Sequence, residues 1–189
     1  MWKHVDGALI ETAKPALTAH DLERAEHGLA DLQAAAERLD GKEGKALGVL
    51  LKNDIARALI GGICADSPFL GRLMLRYPER LPALFDEAPR DNLTRIIDRV
   101  KAAALSESRP GLMKALREAK SEAALLVALA DLAGVWPLES VTAALTDFAD
   151  ACVQAGVNFL LREAATRGQI RRGPDEALEE GSGLVILGM

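Results

Sequence analysis

The chain has 189 residues, 49% of them hydrophobic and 27% charged, a balance that excludes a disordered polypeptide and suits a folding globular one. A formal net charge of −5 gives no overall field for nucleic acid or an anionic membrane, so neither is expected as a partner. No run approaches the roughly 18 apolar residues of a membrane span. The start Met1-Trp2-Lys3-His4-Val5-Asp6 lacks the apolar core of a signal peptide, so a cytoplasmic location is expected. Aromatics are only 4%, which leaves the core to Leu and Ala, both strong helix formers. Cys64 and Cys152 lie far apart in apolar helical patterns and read as small buried hydrophobes, not as a disulfide or metal pair.

In chain order, a short helix is expected from Val5 to Thr12, before Pro15. Asp21 suits the N-cap of the next helix. Its stripe Leu22, Ala25, Leu29, Leu32, Ala36 and Leu39 repeats every three or four residues up to Gly41. Leu47, Leu50, Leu51, Ile55, Leu59 and Ile60 form a further face, ended by Gly61-Gly62. Ser67-Pro68 is a start signal, Ser as cap and Pro at the first helical position. The helix it opens is expected to bury Phe69, Leu70, Leu73, Met74 and Tyr77 before Pro78, with a turn from Pro78 to Phe85. Asp91 or Asn92 starts a helix carrying Leu93, Ile96, Ile97 and Val100. Pro110 opens another, Leu112 to Leu132, closed by Gly134. Its second half, Ala123 to Ala133, is apolar nearly all round, which predicts a central helix. Pro137 begins the longest helix, with Leu138, Val141, Leu145, Phe148, Cys152, Phe159 and Leu160, to about Arg167; Gly168 stops it.

The last stretch changes character. Gly173-Pro174 and Gly181-Ser182-Gly183 bracket an acidic loop, followed by Leu184-Val185-Ile186-Leu187-Gly188-Met189. Four aliphatics between glycines read as a buried strand, yet nothing else in the chain reads as one. A lone strand leaves its backbone groups unpaired, so a sheet supplied by a longer protein is expected. The expected fold is all-α: an irregular multi-helix bundle with a long C-terminal helix and one orphan terminal strand. The expected division is a helical domain over 1–168, a linker over 169–183, and the first strand of an α/β domain over 184–189.

Three blocks carry a family resemblance. They are Ser67-Pro68-Phe69-Leu70 with Tyr77-Pro78-Glu79, the long stretch from Ala119-Lys120 through Leu125 to Gly134-Val135-Trp136-Pro137 and on to Ala151, and Gly183-Leu184-Val185-Ile186-Leu187-Gly188-Met189. In this order they resemble the bifunctional glutamine synthetase adenylyltransferase/deadenylylating family, ahead of and entering its first nucleotidyltransferase domain. The resemblance implies an enzyme with two such domains. The N-terminal one removes AMP from a tyrosine of glutamine synthetase by phosphorolysis, and the C-terminal one adds AMP from ATP. A PII-type nitrogen-signalling protein selects between them. It further implies ATP and Mg²⁺ as cofactors, held by a glycine-rich turn and a pair of aspartates one residue apart. Gly188 matches the start of that phosphate-binding turn. The aspartates are expected after Met189, so no catalytic or metal-binding residue is assigned within the chain, which alone is expected to be inactive.

Other residues invite functional readings and carry plainer ones. Asp131, in an apolar helix, reads as a structural buried carboxylate, and Trp136, at a helix junction, as a packing wedge. His20 and His27 are seven apart without a third ligand and read as solvated. Glu139, Asp147 and Asp150 read as a polar helix face. Arg167, Arg171 and Arg172 lie among Glu163, Asp175, Glu176, Glu179 and Glu180 as a mixed solvated loop. The alternative function is a stand-alone helical protein-interaction module, which has no use for a terminal strand.

Overall fold

A computed structural model describes residues 7–14, 20–106, 108–170, 184 and 186. Among these it contains nine α-helices and one 3-10 turn. They are α1 Leu9–Thr12, α2 Leu22–Arg38, α3 Gly41–Leu50, α4 Asp54–Asp66, α5 Pro68–Arg76, α6 Leu81–Asp86, α7 Pro89–Ala103, α8 Arg109–Leu132 and α9 Leu138–Thr166. The 3-10 turn, Pro78–Arg80, precedes α6. The all-α expectation holds for the described residues. Of the terminal stretch only Leu184 and Ile186 are described. Neither is in a strand and each is 54% exposed, so the orphan strand is not seen.

Several start signals act as their chemistry requires. The Asp21 carboxylate accepts from the Arg24 N–H at 2.9 Å, Asn53 from Ala56 at 3.1 Å, Ser67 from Leu70 at 3.3 Å and Ser108 from Gly111 at 3.2 Å. Each satisfies one of the N–H groups left without a partner in a first helical turn. Gly134 at φ +65° and Gly168 at φ +70° end α8 and α9 in the left-handed region that favours glycine.

Four expectations are corrected. The face from Leu47 to Ile60 belongs to two helices, because Asn53 caps a new one and breaks the run after Leu50. Gly61-Gly62 does not end α4, which continues to Asp66 with both glycines buried and Gly61 against Leu29 and Ala25 of α2. The stretch from Pro78 to Phe85 is helical, with Leu81, Leu84 and Phe85 fully buried. Helix α7 starts at Pro89, not at Asp91 or Asn92, and Asn92 is buried inside it. Side-chain burial also departs from the stripes at their ends. Leu22 is 71% and Phe69 55% exposed, as are Leu138, Leu145 and Leu160 of α9 by about half or more.

Two groups of helices share one core. Helices α2 to α5 pack around the α2–α4 pair, and α7, α8 and α9 pack on one another. Contacts of α5 with α8, and of α6 with α1, α3 and α7, join the groups. The shared apolar cluster runs from Leu9 to Ala155. As the all-apolar sequence implies, α8 is central, with Leu126, Leu129 and Ala130 fully buried. Gly134 lets the chain reverse so that α9 sets Val141, Ala144 and Phe148 into the same core. Short α1 and the residues after it are tied to the α6–α7 junction and the end of α8 by backbone hydrogen bonds, Leu9 N–H to Glu87 O at 3.2 Å and Lys14 N–H to Ala133 O at 2.8 Å.

Candidate functional site

The most deeply placed charge lies where the turn after α5 meets α7 and α8. Glu122 sits three residues after buried Ala119 and four before buried Leu126, so helical spacing forces it onto the core face of α8. Its carboxylate, 7% exposed, accepts from Arg80 at 3.1 Å and from Arg99 at 2.7 Å. Arg80 also approaches Glu118 at 3.8 Å and lies over the Tyr77 ring, 4.3 Å from its centroid. Two guanidiniums and a neighbouring aromatic face supply the compensation a buried carboxylate needs. Two turns before Arg99 on α7, Asn92, fully buried, donates to Ala83 O at 3.0 Å and accepts from Arg95, which pairs with Glu87 at 2.9 Å. This chain of polar groups fastens α6, α7 and α8 to the Pro78–Arg80 turn. It holds no nucleophile and no open carboxylate pair, so its chemistry is structural.

A groove of about 490 Å³ lies between α2 and α5, with Cys64 of α4 beneath. Gly28 and Gly71 form its floor with Cys64; Arg24, Asp31 and Arg72 are among the side chains that line it. Burial raises the Cys64 thiol above its ordinary pKa and Asp31 adds to the effect, so a reactive thiolate is disfavoured. Burial likewise raises the thiol of Cys152. Both cysteines are free.

The last turn of α9 is clamped to the α7–α8 junction. Arg162 donates to Ala104 O and, at 3.1 Å, to Ser106 O. Glu163 accepts from Arg109 at 2.6 Å and from Arg167 at 2.8 Å. The charged hydrogen bond from Arg109 holds its carboxyl below the ordinary range, against a smaller opposing effect of burial.

The residues singled out in the sequence are placed as follows. Gly188, with Arg171 and Arg172, lies outside the described residues. Asp131 is exposed at the end of α8, which corrects its reading as a buried carboxylate. Position 131 falls on the solvent side of a helix whose other faces are packed, and Glu122 is the carboxylate that is buried. Trp136 is half-buried and packs on the core. His20 and His27 are exposed, 3.3 Å from Asp66 and 3.9 Å from Asp31. Glu139, Asp147 and Asp150 are exposed on α9. Among the described residues no group of three or more His, Cys, Asp or Glu side chains is arranged to hold a metal ion. No helix among them is long and apolar enough to cross a membrane.

The fold and its polar junctions define an all-helical scaffold. Comparison with known proteins gives it a family. The family model described as glutamate-ammonia ligase adenylyltransferase matches residues 58–189. A bifunctional glutamine synthetase adenylyltransferase/adenylyl-removing enzyme of Xanthobacter autotrophicus is 42% identical over 161 residues, covering 84% of this chain and 16% of that protein. Namesakes from Bradyrhizobium diazoefficiens and Brucella suis are 39% and 38% identical, each over 92% of this chain and 17% and 18% of their own lengths. The chain belongs to the glutamate-ammonia ligase adenylyltransferase family, and it spans about a sixth of the length of the curated relatives it matches. No solved structure matches it significantly.

Proposed function

We propose that this chain is the helical part of an enzyme that transfers AMP to and from glutamine synthetase in nitrogen regulation. The observation that carries the reading is the family match over 58–189, which takes in α5 to α9 whole. Under it, the helical unit over 1–168 positions a nucleotidyltransferase domain that the stretch 184–189 begins, joined by the linker 169–183. Gly188 opens the loop whose backbone N–H groups would face the phosphate groups handled by that first domain. An aspartate pair following that loop would hold Mg²⁺, which would supply charge stabilisation to the transferring adenylyl group. The chain by itself is inactive. Its partners are glutamine synthetase, a tyrosine of which carries the AMP, and a PII-type signalling protein, all in the cytoplasm. What these residues contribute is rigidity: the buried Glu122 network and the α9 clamp fix how the helices meet.

A chimera tests this. In the Xanthobacter relative, the matching segment is replaced by this chain, and removal of AMP from adenylylated glutamine synthetase is followed as ADP formed with phosphate present. Retained ADP formation is expected. A chimera that folds, by circular dichroism and melting, yet forms no ADP overturns the reading. AMP transfer or release by the 189-residue chain alone would place the catalytic site within it and contradict the division of roles.

A further inference from the structure

We propose that the cleft between the start of α8 and the end of α9 is a binding site for a phosphate group. The inference stands on the cleft's own geometry and does not depend on the family reading. The cleft measures about 440 Å³, within the range of small-ligand pockets. Arg109, Arg162 and Arg167 line it with Ser106 and Ser108, and Glu163 is the only acidic side chain among its described lining residues. Among those residues, three guanidiniums gather around one carboxylate.

Glu163 shows what the recess accepts. Its two oxygens each take a guanidinium, Arg109 on Oε2 at 2.6 Å and Arg167 on Oε1 at 2.8 Å. These arginines come from different helices, 54 and four residues from Glu163 in sequence. Two forked donors converging on neighbouring oxygens of one anion is the arrangement that recognises phosphate as well as carboxylate. The carboxylate is carried on a side chain of α9 and is 24% exposed, so an anion entering from solvent can compete with it for both arginines. A phosphate dianion brings more charge and more acceptor oxygens than the carboxylate it displaces. Ser108 adds a hydroxyl donor, while the Ser106 hydroxyl donates to Ser108 O. Arg162 is committed to Ala104 O and Ser106 O; it fixes the wall and contributes its charge. Among the described lining residues, exposed Leu105 and buried Phe159 offer apolar surface beside the arginines, which suits a phosphate carried on an organic group.

The test is a titration of the full 189-residue chain with inorganic phosphate and, separately, with a nucleoside monophosphate, followed by NMR of the arginine Nε–H signals at constant ionic strength set with KCl. Saturable shifts of Arg109 and Arg167 are expected. Arg109→Ala and Arg167→Ala should each weaken binding at least about tenfold, the scale of one charge-assisted bidentate contact. Glu163→Gln should tighten it, because the competing carboxylate is gone. Tighter binding of the monophosphate identifies a phosphate ester as the ligand, and equal binding identifies the free anion. Both arginines are more than half exposed, and melting of each variant checks that the fold is intact. Absence of saturation with either probe overturns the proposal. So does equal binding by the chain and its arginine variants, which would leave the cluster as a clamp alone.

Discussion

Gly28 of α2 faces Cys64 of α4 so closely that a Cβ added to Gly28 would lie 2.5 Å from the Cys64 Sγ and 2.6 Å from its Cβ. The α2–α4 pairing therefore depends on a missing side chain. Gly28→Ala gains about 1 kcal/mol of helix propensity, and forces apart a packed pair at a cost of about 1–3 kcal/mol. Net destabilisation is expected in chemical denaturation, larger for Gly28→Val. Adding Cys64→Ala should recover only part of it, since the Cβ at 2.6 Å stays. Full recovery would mean that the thiol alone sets the spacing.

Leu129 is fully buried in α8, whereas Leu138 at the start of α9 is 71% exposed. Leu129→Ala should cost about 2–5 kcal/mol, as for a buried leucine whose cavity collapses poorly. Leu138→Ala should stay within about 0.5 kcal/mol. Thermal melts of the two variants check the contrast, and equal losses would place α8 away from the centre.

Removing the Glu122 carboxylate should loosen the junction of α7, α8 and the Pro78–Arg80 turn. Glu122→Ala leaves Arg80, 27% exposed, without its closest anion, while Arg99 is half exposed and rehydrates. The expected loss is about 1.5–3 kcal/mol, the range for hydrogen bonds to charged groups. Arg99→Ala should cost less than about 1 kcal/mol. Urea midpoints read both.

Glu163 supplies a pH dependence with a definite sign. Its carboxyl is held below the ordinary range by Arg109. The unfolded chain therefore takes up this proton at a higher pH than the folded chain does. The clamp's contribution is complete above the ordinary carboxylate range and is lost as pH falls through that range to the depressed value. The stability gap between the natural chain and Glu163→Gln should be open at neutral pH and close in acid. A gap that is constant with pH would detach it from Glu163 ionisation.

Much of this fold is legible from caps and spacing. Ser67-Pro68, Asp21, Gly134 and Gly168 mark ends by local backbone chemistry, and the all-apolar second half of α8 announces a central helix. The breaks that escape such reading have local signals outweighed by periodicity. Asn53 caps a new helix inside an unbroken leucine pattern, and Gly61-Gly62 continues a helix because α2 packs against it. Burial at the ends of stripes, as at Leu22 and Phe69, is decided by neighbours that periodicity does not name. The polar junctions divide in the same way. Glu122 stands on the core face by its spacing from Ala119 and Leu126 and was legible there. Its guanidiniums come from Arg80 and Arg99, 42 and 23 positions away, and that pairing exists only in three dimensions.

Short α1 has a consequence for where this protein can be cut. The family match begins at residue 58, but Leu9, at 0% exposure, fills a place in the core. The amides of Leu9 and Lys14 pair with carbonyls of Glu87 and Ala133, inside the matched region. A polypeptide trimmed to the matched residues would carry an open slot at α6 and two carbonyls without their donors. It would also lack the α2 and α3 leucines that cover α4. The span of the family model is thus shorter than the span that packs into one core.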